Sequence, residues 1–206
     1  MSAELVTTAF LNGLFMSLVL IVAIGAQNAY VLRQGLRREH VSAVVLFCAV
    51  SDAVLISAGV AGMAQALQGR PMLATALAGF GALFLAGYGL RALWRSRAAG
   101  ALRTVTQGSS LSRTAVLAQA AGFTLLNPHV YLDTVFLLGS VANTHGADRW
   151  WFAAGAAAAS VLWFFSLALG ARHLGRRLAT PRSWRIVDGV IAVVMIALAV
   201  SLVWPR

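Results

Sequence analysis

Residues 114–142 read TAVLAQAAGFTLLNPHVYLDTVFLLGSVA. A bilayer-spanning helix needs about 20 mostly apolar residues, and this stretch exceeds that. Yet its centre carries Asn127-Pro128-His129, with Asp133 close behind. Proline removes a backbone donor and breaks or kinks a helix. In hydrocarbon such a break is tolerated only where the freed carbonyls face protein or a water-filled cavity. The stretch therefore predicts an interrupted transmembrane helix whose break lines a cavity, with Pro128 as the helix-breaking residue.

A second polar cluster sits late in another apolar run. Gly25-Ala26-Gln27-Asn28-Ala29-Tyr30 falls within residues 5–32, with Gly25 as the breaking residue. Asn and Gln side chains are costly in hydrocarbon unless paired or wet. Ala26 and Pro128 lie 102 positions apart in a chain of 206, so each cluster opens one half.

The remaining spans follow by length and composition: residues 41–67, 71–90, 150–171 and 186–204. The expectation is an all-α polytopic membrane protein of six transmembrane helices, arranged as two three-helix repeats with helices one and four interrupted. An odd number of helices per repeat makes the halves inverted. Interrupted helices at matching places in inverted halves point to a transporter's midplane site. The whole chain, 1–206, reads as one transmembrane domain. Its halves, about 1–98 and 105–206, are joined by a basic cytoplasmic loop.

Composition supports the bilayer. Apolar residues make up 60% of the chain, charged residues 11%, and the mean hydropathy is +0.80. A soluble domain is about half apolar and about one quarter charged. A formal charge of +10 could suggest nucleic acid, but every basic residue is Arg and nearly all lie between apolar runs. Thirteen of the sixteen follow helices one, three and five: Arg33, Arg37, Arg38; Arg91, Arg95, Arg97, Arg103, Arg113; Arg172, Arg176, Arg177, Arg182 and Arg185. Only Arg70, Arg149 and Arg206 fall on the other side. The positive-inside rule places the richer side in the cytoplasm, which puts both termini outside it. The first run has no positive leader, only Glu4, and is longer than a signal h-region; it is read as a retained helix.

Trp150, Trp151, Trp184 and Trp204 stand at expected helix ends, as interfacial anchors do. Ala78, Ala82 and Ala86, and residues 153–159, offer small faces for close helix packing. Cys48 is the single cysteine and lies in an apolar run, where it behaves as a small hydrophobe.

Of six carboxylates, Glu4, Glu39, Asp148 and Asp188 fall near expected ends or loops; Asp52 and Asp133 do not. Asp52, next to Ser51, is about twelve residues into helix two. A bare carboxylate at that depth costs several kcal/mol, so it needs a proton, a cationic substrate, or a partner such as Arg91 or His129. Asp133 lies beside the helix-four break and is wet if the break is. His129 could shuttle protons near neutral pH or simply fix the break. There is no phosphate loop, nucleotide fingerprint or metal-ligand spacing among His40, His129, His145 and His173, and Ser160 has no placed His and acid neighbours.

The run Gly25-Ala26-Gln27-Asn28-Ala29-Tyr30-Val31-Leu32-Arg33-Gln34-Gly35-Leu36-Arg37-Arg38 resembles the lysine/arginine exporter family of bacterial inner membranes. Ser51-Asp52, Leu126-Asn127-Pro128-His129-Val130-Tyr131-Leu132-Asp133-Thr134 and Trp163-Phe164-Phe165 match the same family. The likeness runs from about Leu11 to Trp204. It implies efflux of basic L-amino acids, chiefly L-arginine or L-lysine, driven by the membrane potential or proton gradient, and a six-helix fold of two inverted units. By the resemblance Gln27, Asn28, Asp52, Asn127, Pro128 and His129 carry the site; Asp133 joins the substrate-binding candidates. Asp52, Asp133 and His129 are the proton-coupling candidates. The family usually has Pro where this chain has Ala26, so a proline-enforced break is expected only in helix four.

The implied partners are the amino-acid substrate, protons and membrane lipids, with no nucleic acid, metal, cofactor or enzymatic activity; a homo-oligomer is left open. Two competing readings stand beside basic amino-acid export. One is export of neutral amino acids such as threonine or homoserine. The other is a membrane-embedded enzyme or structural subunit, which lacks any recognisable nucleophile or cofactor motif.

Overall fold

The computed structural model describes residues 3–22, 25–63, 71–97, 111–177 and 180–203. Trp204, Arg70, Arg103, Arg206, the C-terminal end of the expected second span and most of the link between the halves lie outside them. Every element among the described residues is helical: α1 (Ala3–Ile21), α2 (Ala26–Arg37), α3 (Val41–Val60), α4 (Pro71–Arg97), α5 (Arg113–Leu125), α6 (Pro128–Tyr131), a π-helical segment (Leu132–Leu138), α7 (Gly139–Thr144), α8 (Arg149–Arg177) and α9 (Pro181–Val203). A 3₁₀ turn at Gly146–Asp148 leads into α8. Among the described residues four helices, including α3 and most of α8, are long and apolar enough to cross a membrane.

These sequences form helices in which apolar residues surround the axis, so amphipathicity does not orient them; packing does. Large apolar side chains remain on the outside, with Val19 77%, Leu83 73% and Val193 68% exposed. In water such surface would drive aggregation, whereas in a bilayer it faces hydrocarbon of equal polarity.

The helices pair across the two halves of the chain. α8 packs on α1, α2 and α3; α3 packs on α5 and the π segment; α4 lies along α9. Some of this contact needs glycine. A Cβ on Gly59 of α3 would collide with the Val135 backbone, and one on Gly139 would collide with the Gly59 backbone. The largest buried cluster draws on α2, α3, α4, α5, α8 and α9. At its centre the Phe123 ring lies 4.8 Å from both Tyr30 and Tyr88 and 4.9 Å from Phe84. Cys48 is buried in the same cluster, as packing would have it.

Both expected interruptions occur. The first falls between Ile21 and Ala26, the second between Leu125 and Pro128. Helix one therefore breaks fully without a proline at position 26. The residues entering the second half-helices, Gly25 (φ −106°, ψ 173°) and Asn127 (φ −98°, ψ 108°), are both extended. Each break also caps the carbonyl it frees: Asn28 donates its side-chain amide to the Ile21 carbonyl, and Tyr131 donates its hydroxyl to the Leu125 carbonyl at 2.9 Å. A backbone carbonyl left bare in hydrocarbon is costly whether it faces protein or lipid, so these two side chains stabilise each break locally.

Three expectations change. Helix ends extend past the apolar runs, so Arg33 lies within α2 and Arg95 within α4, not in loops. Asp188 is not a peripheral carboxylate: it is buried in α9 and pairs with Arg33 Nε (3.2 Å) and Arg95 Nη2 (3.4 Å). Arg95 also stacks over the Tyr88 ring at 5.7 Å, which offsets some of the cost of burying the second cation. Finally, Trp184 is not an interfacial anchor; it is buried against Leu36 and Ala171, because the first turn of α9 folds inward onto α2 and α8.

Candidate functional site

A cavity of about 250 Å³ opens between the two breaks. Its wall includes Gln27, Asn28, Asp52, Asn127, His129 and Asp133, together with Gly25. All six residues singled out as substrate-binding candidates, drawn from helices one, two and four, thus face one space. The pocket geometry follows from the breaks. α1 ends at Ile21 and α5 at Leu125, and polar residues that follow each end line the same cavity.

The six differ in how free they are. Asp52, 4% exposed, accepts a hydrogen bond on Oδ2 from Ser160 of α8 at 2.9 Å. Its Oδ1 is buried and has no hydrogen-bond partner. Neither of the cations considered as partners takes that place: Arg91 is exposed, and His129 lines the cavity without an ion pair to Asp52. Gln27 stands beside Asp52 and Cys48, buried and close enough to interact with both, but its Nε2 makes no hydrogen bond of good geometry. Carboxylate oxygen and amide donor are thus both available at the wall.

Asn28 is committed. Its amide donates to Ile21, and its Oδ1 accepts from Trp163 Nε1 at 3.1 Å. Asn127 caps its own half-helix, its Oδ1 accepting the His129 backbone N–H at 3.1 Å. Pro128 occupies the first helical position behind it, where its missing donor is harmless. Asp133 sits in the π-helical segment, an arrangement frequent at functional sites, and the next residue, Thr134, donates its hydroxyl to the Val130 carbonyl at 2.6 Å.

Sequence reasoning passed over Ser160, Trp163 and Tyr131 as site residues. In the sequence Ser160 presents only a lone hydroxyl, and its contact with Asp52 spans 108 positions. Trp163 carried a family likeness but no role. A polar residue facing a buried carboxylate from an adjacent apolar helix was the available signal for Ser160, and only the packing of α3 on α8 identifies it. Among the described residues no group of His, Cys, Asp and Glu could hold a metal ion.

The LysE type translocator family model matches residues 18–205. The chain is 45% identical over 182 residues to the "Putative amino-acid transporter Rv0488" of Mycobacterium tuberculosis (strain ATCC 25618 / H37Rv); the match spans 87% of this chain and 89% of that one. It is 39% identical over 194 residues to the arginine exporter protein ArgO of Pectobacterium carotovorum subsp. carotovorum, across 94% of this chain and 95% of the relative. The ArgO of Salmonella enteritidis is 38% identical, across 94% and 92%. No solved structure matches the chain. With a family model covering nearly its full length and relatives of this identity aligned end to end, the chain belongs to the LysE type translocators.

Proposed function

We propose that this protein is a secondary exporter of basic L-amino acids, arginine or lysine, from the bacterial cytoplasm across the inner membrane, with protons as the coupling ion. The observation that carries the reading is Asp52: a deeply buried carboxylate with one oxygen unpartnered, facing a cavity between two broken helices and paired with no cation among the described residues. A guanidinium or ammonium group satisfies that oxygen, and so does a proton. The Gln27 amide beside it is a donor for the substrate's α-carboxylate. Asn127, His129 and Asp133 supply the opposite wall, with His129 and Asp133 as further proton carriers. Asn28 acts by holding the break open, since its own amide is already bound. The arginine exporters among the relatives support the substrate class.

The architecture that goes with this function is six membrane-crossing helices in two inverted repeats, about 1–98 and 105–206. Exchange of partners between the halves supports it: helix one packs on α8, as helix four packs on α3, while α3 meets α8 and α4 meets α9. The arginine-rich helix ends face the cytoplasm and both termini face outward.

Coupling is constrained by charge. Moving one positive charge outward against an inside-negative potential costs about 2.3 kcal/mol per 100 mV. One proton entering per substrate cancels that charge and leaves only the pH gradient as drive; two or more draw on the potential as well.

The second reading is export of a neutral amino acid such as threonine or homoserine. It draws on Ser160, a hydroxyl rather than a cation, as the partner of Asp52, which leaves the carboxylate free to serve protons alone. Efflux of radiolabelled arginine from proteoliposomes holding the purified chain, with and without an imposed proton gradient, tests the proposal. Gradient-dependent efflux that lysine competes with and threonine does not is the expected result. Absence of arginine movement in tight, oriented vesicles would overturn it.

A further inference from the structure

A second pocket, of about 560 Å³, lies at the arginine-rich end of the helices, away from the cavity between the breaks. Arg38, His40, Arg113 and Arg172 line it, contributed by the α2–α3 turn, the start of α5 and α8. Among the described residues no carboxylate lines it. The neighbouring Glu39 is held by Arg37 through two hydrogen bonds, 2.9 and 3.0 Å, and does not compensate the three guanidinium groups. Arg38 spends one N–H on the Arg172 carbonyl (3.3 Å), and His40 Nε2 meets the Leu111 carbonyl (3.1 Å). These bonds fix a turn in which Arg38 (φ 58°) and His40 (φ 48°) both adopt the left-handed conformation. Non-glycine residues there are strained, and such strain persists only where the surroundings enforce it. The Arg113 and Arg172 side chains form no ion pair within the described residues.

Apart from Ser42 the rest of the wall is apolar: Val41, Ala43, Val45, Phe165, Ala168 and Leu169. From Arg172 back to Phe165 the α8 axis descends about 10 Å at about 1.5 Å per residue. Phe165 and Leu169 are 46% and 53% exposed on the outside of the bundle, so the apolar part opens toward lipid while the cations cluster at the end. A soluble anion uses only the upper part. An amphiphile with a phosphate head and acyl chains uses both.

We propose that this pocket binds one anionic phospholipid from the cytoplasmic leaflet, its phosphate among Arg38, Arg113 and Arg172 and its glycerol and first acyl carbons against Phe165 and Leu169. Basic pockets between transmembrane helices on the cytoplasmic side hold anionic headgroups by this complementarity. The occupant ties the α2–α3 turn to α5 and to α8, the helix whose Ser160 lines the cavity between the breaks.

Native mass spectrometry of the full chain, released from mixed micelles of phosphatidylglycerol and phosphatidylcholine with matched acyl chains, tests this. The expected result is one retained phosphatidylglycerol and no comparable retention of phosphatidylcholine. Arg113→Gln with Arg172→Gln should weaken retention about thirtyfold, the loss of two contacts worth about 1 kcal/mol each. Arg113→Lys with Arg172→Lys should keep it, which separates lost charge from lost fold. Arg97→Gln with Arg185→Gln, an equal change of charge at exposed positions outside the pocket, should also keep it. Equal weakening by that remote pair, equal retention of phosphatidylcholine, or displacement of the lipid by millimolar inorganic phosphate would each overturn the proposal.

Discussion

Asp52→Asn separates charge from packing at the cavity wall. The amide is nearly isosteric, and its oxygen still accepts from Ser160, which now stands 2.9 Å from Asp52 Oδ2. The bond between α3 and α8 therefore survives, and the desolvation cost of a buried carboxylate disappears. Thermal stability should hold or rise. Substrate recognition should not hold. A hydrogen bond to a charged group contributes about 1.5–3 kcal/mol against about 0.5–1.5 for a neutral pair. With Oδ1 the one free oxygen, the contact with a guanidinium is single. The upper bound is the attraction between unit charges at about 4 Å, about 4 kcal/mol at an effective dielectric constant of about 20. A loss of about 1.5–3 kcal/mol corresponds to about a tenfold to 150-fold rise in KM for arginine, at about 1.4 kcal/mol per decade. The assay is efflux and arginine counterflow in proteoliposomes, with the melting temperature followed in the same detergent. If Asp52 also carries the coupling proton, gradient-driven efflux falls further than counterflow does. Arginine efflux that keeps its wild-type KM and gradient dependence in the Asn variant, at unchanged stability, would refute the assignment of both charge roles to Asp52.

Four other substitutions probe the frame around that site. Asn28→Leu removes the partner of both the Ile21 carbonyl and the Trp163 indole; at about 1–3 kcal/mol per group left bare, denaturation should show a loss of at least about 2 kcal/mol, and transport should fall with it. Asp188→Asn leaves Arg33 buried without its carboxylate, and breaking one side of such a pair costs about 3–5 kcal/mol; a melting temperature unchanged by this variant would contradict the ion-pair assignment. Gly139→Ala forces a Cβ into the Gly59 backbone, which has no rotamer to yield, so overpacking of about 1–3 kcal/mol should appear as lower expression and melting temperature. Tyr131→Phe deletes only the hydroxyl that caps Leu125; a loss near about 1 kcal/mol in thermal melts is expected, with transport reduced less than by Asn28→Leu.

Which parts of this design can be read from the chain follows from the range of the interactions. Asn127-Pro128-His129 and Gln27-Asn28 are legible because polar residues inside an apolar run violate the expected pattern locally, and the violation itself locates the break. Asp52 is legible for the same reason. The Arg33–Asp188–Arg95 cluster is not. Each of its members sits near the edge of an apolar run, where charge is ordinary, and pairing depends on α2, α4 and α9 converging at one level. The π-helical segment is hidden too: Leu132–Leu138 contains nothing that distinguishes it from α-helix by composition. Ser160 and Trp163 look like routine residues of an apolar helix until α8 is set against α2 and α3.

The break in helix one shows how a local rule can be satisfied without its usual residue. Proline at the start of a half-helix does two things: it withholds a donor that has no acceptor there, and it fixes a helical φ. Behind Pro128 both are automatic, and the cap is completed locally, with Asn127 bonding the His129 N–H and Tyr131 bonding the Leu125 carbonyl. Ala26 supplies neither. Its place is enforced by tertiary contact instead: it is fully buried, Gly25 before it is extended, and Asn28 fastens the end of α1 while gripping the Trp163 indole on α8. The two breaks are thus alike in shape and different in what maintains them. The helix-four break is held within its own segment, whereas the helix-one break depends on α8 staying in place, so displacement of α8 from α2 loosens only the first. That makes Asn28 and Trp163, rather than any proline, the residues that tie the wall beside Gln27 to the helix that carries Ser160.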